Sequence, residues 1–132
     1  MIEVSNEIFN AVAERLRFLY EGIQVKGEYD PSPAKFPCVT IDEISHVPVF
    51  LDSALENKYA SVVYRVQVFS NKPAGKRAEA RAIYTTVDTV LMELGLYAKT
   101  YSTTPTIYNA EIYSITATFG GIVGRDGRVY RN

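Results

Sequence analysis

Residues 59–70 place the tightest constraint on the fold. Val62, Tyr64, Val66 and Val68 recur at every second position, with Arg65 and Gln67 between them. Successive side chains on a strand point to opposite faces, so this pattern demands a strand with one buried and one wetter face. Such a strand needs neighbours on its flanks and a covering layer over its apolar side. The rest of the chain has to supply both.

Two helices supply the cover. Over residues 4–21, Ile8, Phe9, Val12, Ala13, Leu16, Leu19 and Tyr20 fall at three- and four-residue spacing, the stripe of an amphipathic helix. Ser5 or Asn6 suits its start and Gly22 its end. Over 75–94, Ala80, Ile83, Val87, Val90, Leu91 and Leu94 form a second stripe. Gly95 stands where a left-handed C′ residue belongs, and Leu96 where the accompanying apolar contact belongs.

Further strands are expected at 23–25, 38–44, 97–101 and 107–119, the last with Tyr113, Ile115, Ala117 and Phe119 in phase. Gly120 and Gly121 predict a break or bulge there. Asp126-Gly127, between Ile122-Val123 and Val129-Tyr130, reads as a type I′ hairpin. Residues 29–33, with two prolines, read as loop, as do 48–57 and 102–106. The order of helix, strands, helix, strands is not that of repeating βαβ units. It predicts an α+β fold: a mostly antiparallel sheet with two helices packed on one face and a C-terminal β-hairpin arm. One domain over 1–132 is expected, with the arm at 119–132.

Composition narrows the function. The 132 residues are 47% hydrophobic and 22% charged, values of an ordinary globular chain. No apolar run approaches the roughly 20 residues of a membrane span, and residues 1–7 lack the pattern of a signal peptide. Cys38 and His46 are the entire supply of soft ligands, so no zinc or other soft-ligand metal site is expected, and a magnesium site on loop carboxylates is the weaker alternative to no metal at all. As a thiol–imidazole pair they lie eight residues apart along extended chain, too far to cooperate. Asp42 and Glu43 are adjacent, which on a strand sends them to opposite faces. Glu28, Asp30, Asp52 and Glu56 fall in loops, where a carboxylate-dependent enzyme remains the competing reading. Gly120, Gly121 and Gly124 open a hairpin rather than a helix, so they do not make a phosphate loop. The expectation is a non-enzymatic protein with no cofactor.

Charge and tyrosine point instead to partners. The net charge is −1, yet residues 28–56 sum to −5 and residues 57–132 to +5. That asymmetry suits copies meeting head to tail, acidic side to basic side. Lys72, Lys76, Arg77 and Arg81 cluster at the start of the second helix, where cations are electrostatically unfavourable and a partner's acid would offset them. Arg125, Arg128 and Arg131 form a second basic patch on the hairpin. Neither patch has the aromatic platform or the net charge of a nucleic-acid module. Ten tyrosines and no tryptophan suit either sheets or interfaces; Tyr59, Tyr97, Tyr101, Tyr108, Tyr113 and Tyr130 fall in or beside strands. A short hairpin is only marginally stable alone, so Ile122, Val123, Val129 and Tyr130 must lie on the chain's own sheet or on a neighbour's.

Elements in this order resemble the tail terminator (tail-completion, head–tail joining) proteins of long-tailed bacteriophages. The resemblance is carried by the helix around Ile8-Phe9-Asn10-Ala11-Val12 and by Phe36-Pro37-Cys38-Val39-Thr40-Ile41 entering a strand. It continues in the strand 62–71 running into Gly75-Lys76-Arg77-Ala78-Glu79-Ala80, and in Val87-Asp88 and Leu94-Gly95-Leu96 closing the helix. It implies a virion protein assembled in the host cytoplasm into a hexameric ring that caps the tail tube. Its partners are then copies of itself, the tube protein and a head–tail connector or stopper. The loops around residues 46–58, with Phe50, Leu51 and Asp52, and 102–106 are the implied tube or connector contacts. Lys72, Lys76 and Arg77 with Ile122, Val123, Arg125, Arg128, Tyr130 and Arg131 are the implied ring contacts. Another neck component, a small carboxylate enzyme and a monomeric small-ligand binder are the alternatives.

Overall fold

The computed structural model describes residues 5–27, 36–50, 57–106, 109–124 and 129–130, with side chains over 7–27, 36–47, 60–101 and 112–123. The elements are α1 (Ser5–Leu19), β1 (Gln24–Lys26), β2 (Cys38–Phe50), β3 (Asn57–Ser70), α2 (Lys76–Glu93), β4 (Tyr97–Thr106), β5 (Asn109–Gly124) and β6 (Val129–Tyr130). The strands make one six-stranded sheet in the order β1-β2-β3-β5-β4, with β6 also paired to β5. Every pairing is antiparallel except β1 with β2. The fold is α+β, as the order of elements predicts.

The alternating segment sits at the centre of the sheet, between β2 and β5. Val62, Tyr64, Val66 and Val68 are all buried, and their register partners on the same face are Val39 and Ile41 of β2 and Ile115, Ala117 and Phe119 of β5. These side chains join Ile8, Val12 and Leu16 of α1 and Ile83, Val87 and Leu91 of α2 in one apolar cluster. Both helices therefore cover the same face. On the other face lie Thr40, Asp42, Val63, Arg65, Gln67, Thr116 and Thr118, the opposite phase of the same strands.

The two helices run antiparallel. Arg15 of α1 reaches Glu93 of α2 at 3.3 Å, and the Tyr20 hydroxyl lies 3.3 Å from that of Thr86. The ion pair is exposed and contributes little. The apolar cluster beneath holds the layers together.

Helix α2 ends as its sequence requires. Gly95 has φ 95, its N–H donates to the Met92 carbonyl at 3.0 Å, and the Leu96 N–H donates to the Leu91 carbonyl at 2.9 Å. These two bonds make a Schellman motif, and Leu91 and Leu96 are both buried in the core beside it. The helix then delivers the chain into β4. Since β3 and β4 are each antiparallel to β5, they are parallel to one another, and α2 crosses between them. A split βαβ unit is thus present, with β5 inserted, which the element order alone did not predict.

Four expectations are corrected. Residues 48–50 are not connection but the end of β2, with Pro48 opposite Ala60; the connection shortens to residues outside those described. Residues 102–106 are not loop but the second half of β4, with Pro105 opposite Tyr113. Proline is tolerated in both places because β2 and β4 are the outer long strands, and a missing N–H costs nothing on an outward-facing edge. Gly120 and Gly121 do not break β5, which pairs with β3 through Gly124 with no register shift. Gly120 instead makes room: a Cβ there would fall 2.7 Å from Lys99 Cε. The register of β6 pairs Val123 with Val129, leaving an odd number of residues between them, so a two-residue turn at Asp126-Gly127 does not fit. The turn itself, like the 29–33 loop and the Ser5 or Asn6 side-chain cap, lies outside the described residues.

Replacing Gly95 by alanine puts a Cβ on a backbone held at positive φ. The variant is expected to lose about 1 kcal/mol of stability, seen in urea unfolding as a lower midpoint with an unchanged slope.

Candidate assembly surfaces

The residues proposed for chemistry are kept apart by the pleat. Cys38 is buried on β2 opposite Phe69, on the face without helices. His46 sits opposite Val62, on the helix-covered face. Asp42 accepts a bidentate pair from Arg65, Nε to Oδ1 at 3.2 Å and Nη2 to Oδ2 at 2.7 Å, on the uncovered face. Glu43 turns the other way and accepts from the Tyr64 hydroxyl at 2.8 Å. The two carboxylates cannot act on one substrate. Among the described residues, no three of His, Cys, Asp and Glu come together as metal ligands, and no helix is long and apolar enough to cross a membrane. Glu28, Asp30, Asp52 and Glu56 lie outside the described residues.

One polar cluster was not foreseen. His46 Nδ1 is 3.0 Å from Glu43 Oε1, joining the Tyr64–Glu43 pair. Residues three apart on a regular strand face opposite ways. The bulge at Ile44, the extra residue between Glu43 and Ser45, resets the phase and returns His46 to the face of Glu43. No residue type in 38–46 marks that bulge in advance. Because Tyr64 is almost wholly buried, its hydroxyl needs a partner, and Glu43 supplies a charged one.

The face without helices is polar along its middle, while Cys38 and Phe69 at one end of it are buried. The Thr40 hydroxyl reaches Gln67 at 3.4 Å, the Gln67 amide reaches Thr116 at 3.5 Å, and the Thr100 and Thr118 hydroxyls are 2.7 Å apart. At the start of α2, Lys72, Arg77 and Arg81 are exposed and Lys76 half-buried. Gly75 precedes the helix without a side-chain cap, and Glu79 is held by the Ser70 hydroxyl at 2.7 Å. The basic cluster thus stands where the sequence places it, at a helix N-terminus.

The hairpin residues divide. Val123 is fully buried within its own chain and Ile122 is half-buried, both on β5 where it pairs with β3. The hairpin therefore lies on the chain's own sheet. Tyr130 pairs with Ile122, and Phe50 pairs with Asn57, through backbone only as described. Leu51, Asp52, Arg125, Arg128, Arg131 and Tyr108 lie outside the described residues, as do the side chains of Phe50, Tyr59 and Tyr130.

Exposed apolar side chains of the sheet include two of the tyrosines singled out from sequence and two residues that were not. Ile44 and Val47 on β2 are 48% and 54% exposed, and Tyr97 and Tyr101 on β4 are 45% and 48% exposed. Both pairs lie on outer strands. Tyr101 leans on the helix layer, its ring 4.9 Å from that of Tyr84, which is in turn 6.2 Å from Phe119. The aromatic row fixes β4 to α2.

No protein-family model matches the chain, and no curated protein matches it. Among solved structures, a chain from the virion of a native gene transfer agent particle aligns over 96% of this chain and 91% of its own, at 16% identity and a TM-score of 0.61. The two share a fold. The bacteriophage SPP1 gp17 protein aligns over 86% of this chain and 89% of its own at 19% identity, but its TM-score of 0.37 carries no weight.

Burial, the Asp88 carboxylate and Tyr101 push the Tyr84 hydroxyl from 10.0 up to about 12. In that window the unfolded chain has released a proton that the folded chain keeps, so stability falls as pH rises through it. Tyr84→Phe is expected to flatten the fall in melting temperature between pH 10 and 12, with little change at neutral pH.

Proposed function

We propose that this chain is a structural virion protein, a ring-forming tail terminator that caps the tail tube and joins it to the head connector. The observation that carries the reading is the fold it shares, nearly end to end, with a chain of a gene transfer agent virion. The resemblance of the sequence to tail terminators points the same way. So does the design of the molecule, whose conspicuous groups are surfaces rather than a cleft. Its paired acids are separated by the sheet, while its charges are divided between an acidic stretch over 28–56 and a basic remainder.

In this reading copies close into a ring, six in number as the resemblance implies, by a heterologous contact in which one surface meets a different surface of the next copy. Lys72, Lys76 and Arg77 at the start of α2 meet acidic groups of a partner, which offsets their unfavourable place at a helix N-terminus. The ends of β2 and β4, with Phe50, Leu51 and Asp52, contribute to the surface that meets tube or connector. The protein works without catalysis and without a cofactor.

Light scattering coupled to gel filtration is expected to give a mass several times the 14.8 kDa of the chain at micromolar concentration. Rising salt shifts it toward monomer, since exposed charge pairs are screened. In mixtures with purified tail tube, negative-stain images are expected to show rings on tube ends and no further elongation. A monomer at every concentration that leaves tube growth untouched overturns the proposal, and binding to portal rings alone moves the protein elsewhere in the neck.

A further inference from the structure

Among the described residues, β1 covers β2 only at Cys38–Thr40, through the pairs Gln24 with Cys38, Val25 with Val39 and Lys26 with Thr40. Beyond it, residues 41–50 of β2 have β3 on one side and no described strand on the other. At the opposite end of the sheet, β4 pairs with β5 along residues 97–106 and has no described strand outside it. An open edge presents a row of backbone donors and acceptors and is a template for another strand.

We infer that these two edges are made for one another: the β2 edge of one copy pairs with the β4 edge of the next, continuing the sheet from subunit to subunit. This rests on the ring-forming reading above and names the contact that makes the ring.

Four observations support the match. The first is direction. From β2 through β3 and β5 to β4, each strand reverses the one before, so β2 and β4 run oppositely. Copies related by rotation about a ring axis therefore bring β4 against β2 antiparallel, with both helix layers on the same side. The second is length, since the open stretches are residues 41–50 and 97–106, each about 33 Å of extended chain.

The third is burial. Among the described residues, Ile44, Val47, Tyr97 and Tyr101 are the large apolar side chains left about half exposed on the sheet, and all four belong to these two strands. Pairing the edges gives these side chains cross-strand neighbours on their own faces, Val47 and Tyr97 on the face without helices and Tyr101 on the helix side. The fourth is charge. Residues 36–57, which include β2, hold four acids and neither lysine nor arginine, whereas the one charge in β4 is Lys99. Arg77 and Arg81 lie on the side of α2 that carries Tyr84, the side turned to Tyr101 of β4.

Each edge also carries its own limits. A bulge and a proline interrupt β2 at Ile44 and Pro48, and β4 at Lys99 and Pro105. Such features blunt edges against indiscriminate pairing. They leave residues 100–104, threonine, tyrosine and serine with no charge or proline, as the stretch of β4 best able to bond a partner.

The test joins one residue from each edge. Val47 and Thr100 are exposed and both belong to the face without helices, since their register partners are Ser61 and Thr118. The native Cys38 is buried and does not compete. The double variant V47C/T100C, treated with a short bis-maleimide, is expected to give a ladder of covalent multiples ending at the mass of the ring. V47C and T100C alone are expected to lose the ladder. Circular dichroism and unmodified ring mass confirm that each variant folds and assembles.

A ring that forms normally but gives no ladder from the double variant overturns the edge contact and leaves the ring-forming reading standing. Covalent dimers from either single variant overturn it in favour of symmetric pairing of like edges. A wild-type chain that stays monomeric overturns both readings together.

Discussion

The structure depends on the alternation of β3, whose apolar phase lies under both helices. Its even-numbered residues, Val62 through Val68, fill the space under both helices, and its odd-numbered residues, Arg65 and Gln67, sit among hydroxyls and a carboxylate. A slip of one residue in either ladder would bury Arg65 and expose Tyr64, so the pattern of this strand fixes the register of β2 and β5 as well. That register sends Asp42 and Glu43 to separate faces and gives each its own partner, Arg65 for one and Tyr64 for the other. The same rule that builds the core thus removes the nearest thing the chain has to a catalytic pair.

The polar face has a consequence for how the chain meets others. The face of the sheet without helices carries short hydroxyl side chains bonded across strands along its middle. Those groups already satisfy one another and offer no strong reason for another protein to cover them. Among the described residues, the exposed large apolar side chains of the sheet lie at its margins, on β2 and β4, those of the helices are Phe18, Leu19 and Met92, and positive charge gathers at the turn into α2.

Much of this was legible in the sequence because period is a strong signal. The 3.6-residue stripes of Ile8 to Leu16 and Ala80 to Leu91 gave both helices, and Gly95-Leu96 gave the end of the second. What was not legible was where strands stop. Pro48 and Pro105 look like loop residues, and only the position of β2 and β4 at the outside of the sheet makes them harmless. Gly120 and Gly121 look like a break, and only the pairing with β3 shows that the strand runs through them. Of the interface candidates, the basic start of α2 was visible as a run of charge. The edges were not, because strand order is a long-range property, and nothing local says that β5 lies between β3 and β4.

That insertion also sets an order of events. The chain is made β3, then α2, then β4, then β5, yet β4 has β5 as its described strand partner. Until the last long strand has emerged and threaded into the gap, β4 has nowhere to pair in the sheet, and β3 lacks its second neighbour. A subunit cut short before residue 109 has neither a complete core nor a fixed outer edge. In the proposed ring, a surface that exists only in a finished chain lets assembly reject unfinished ones without any separate means of inspection.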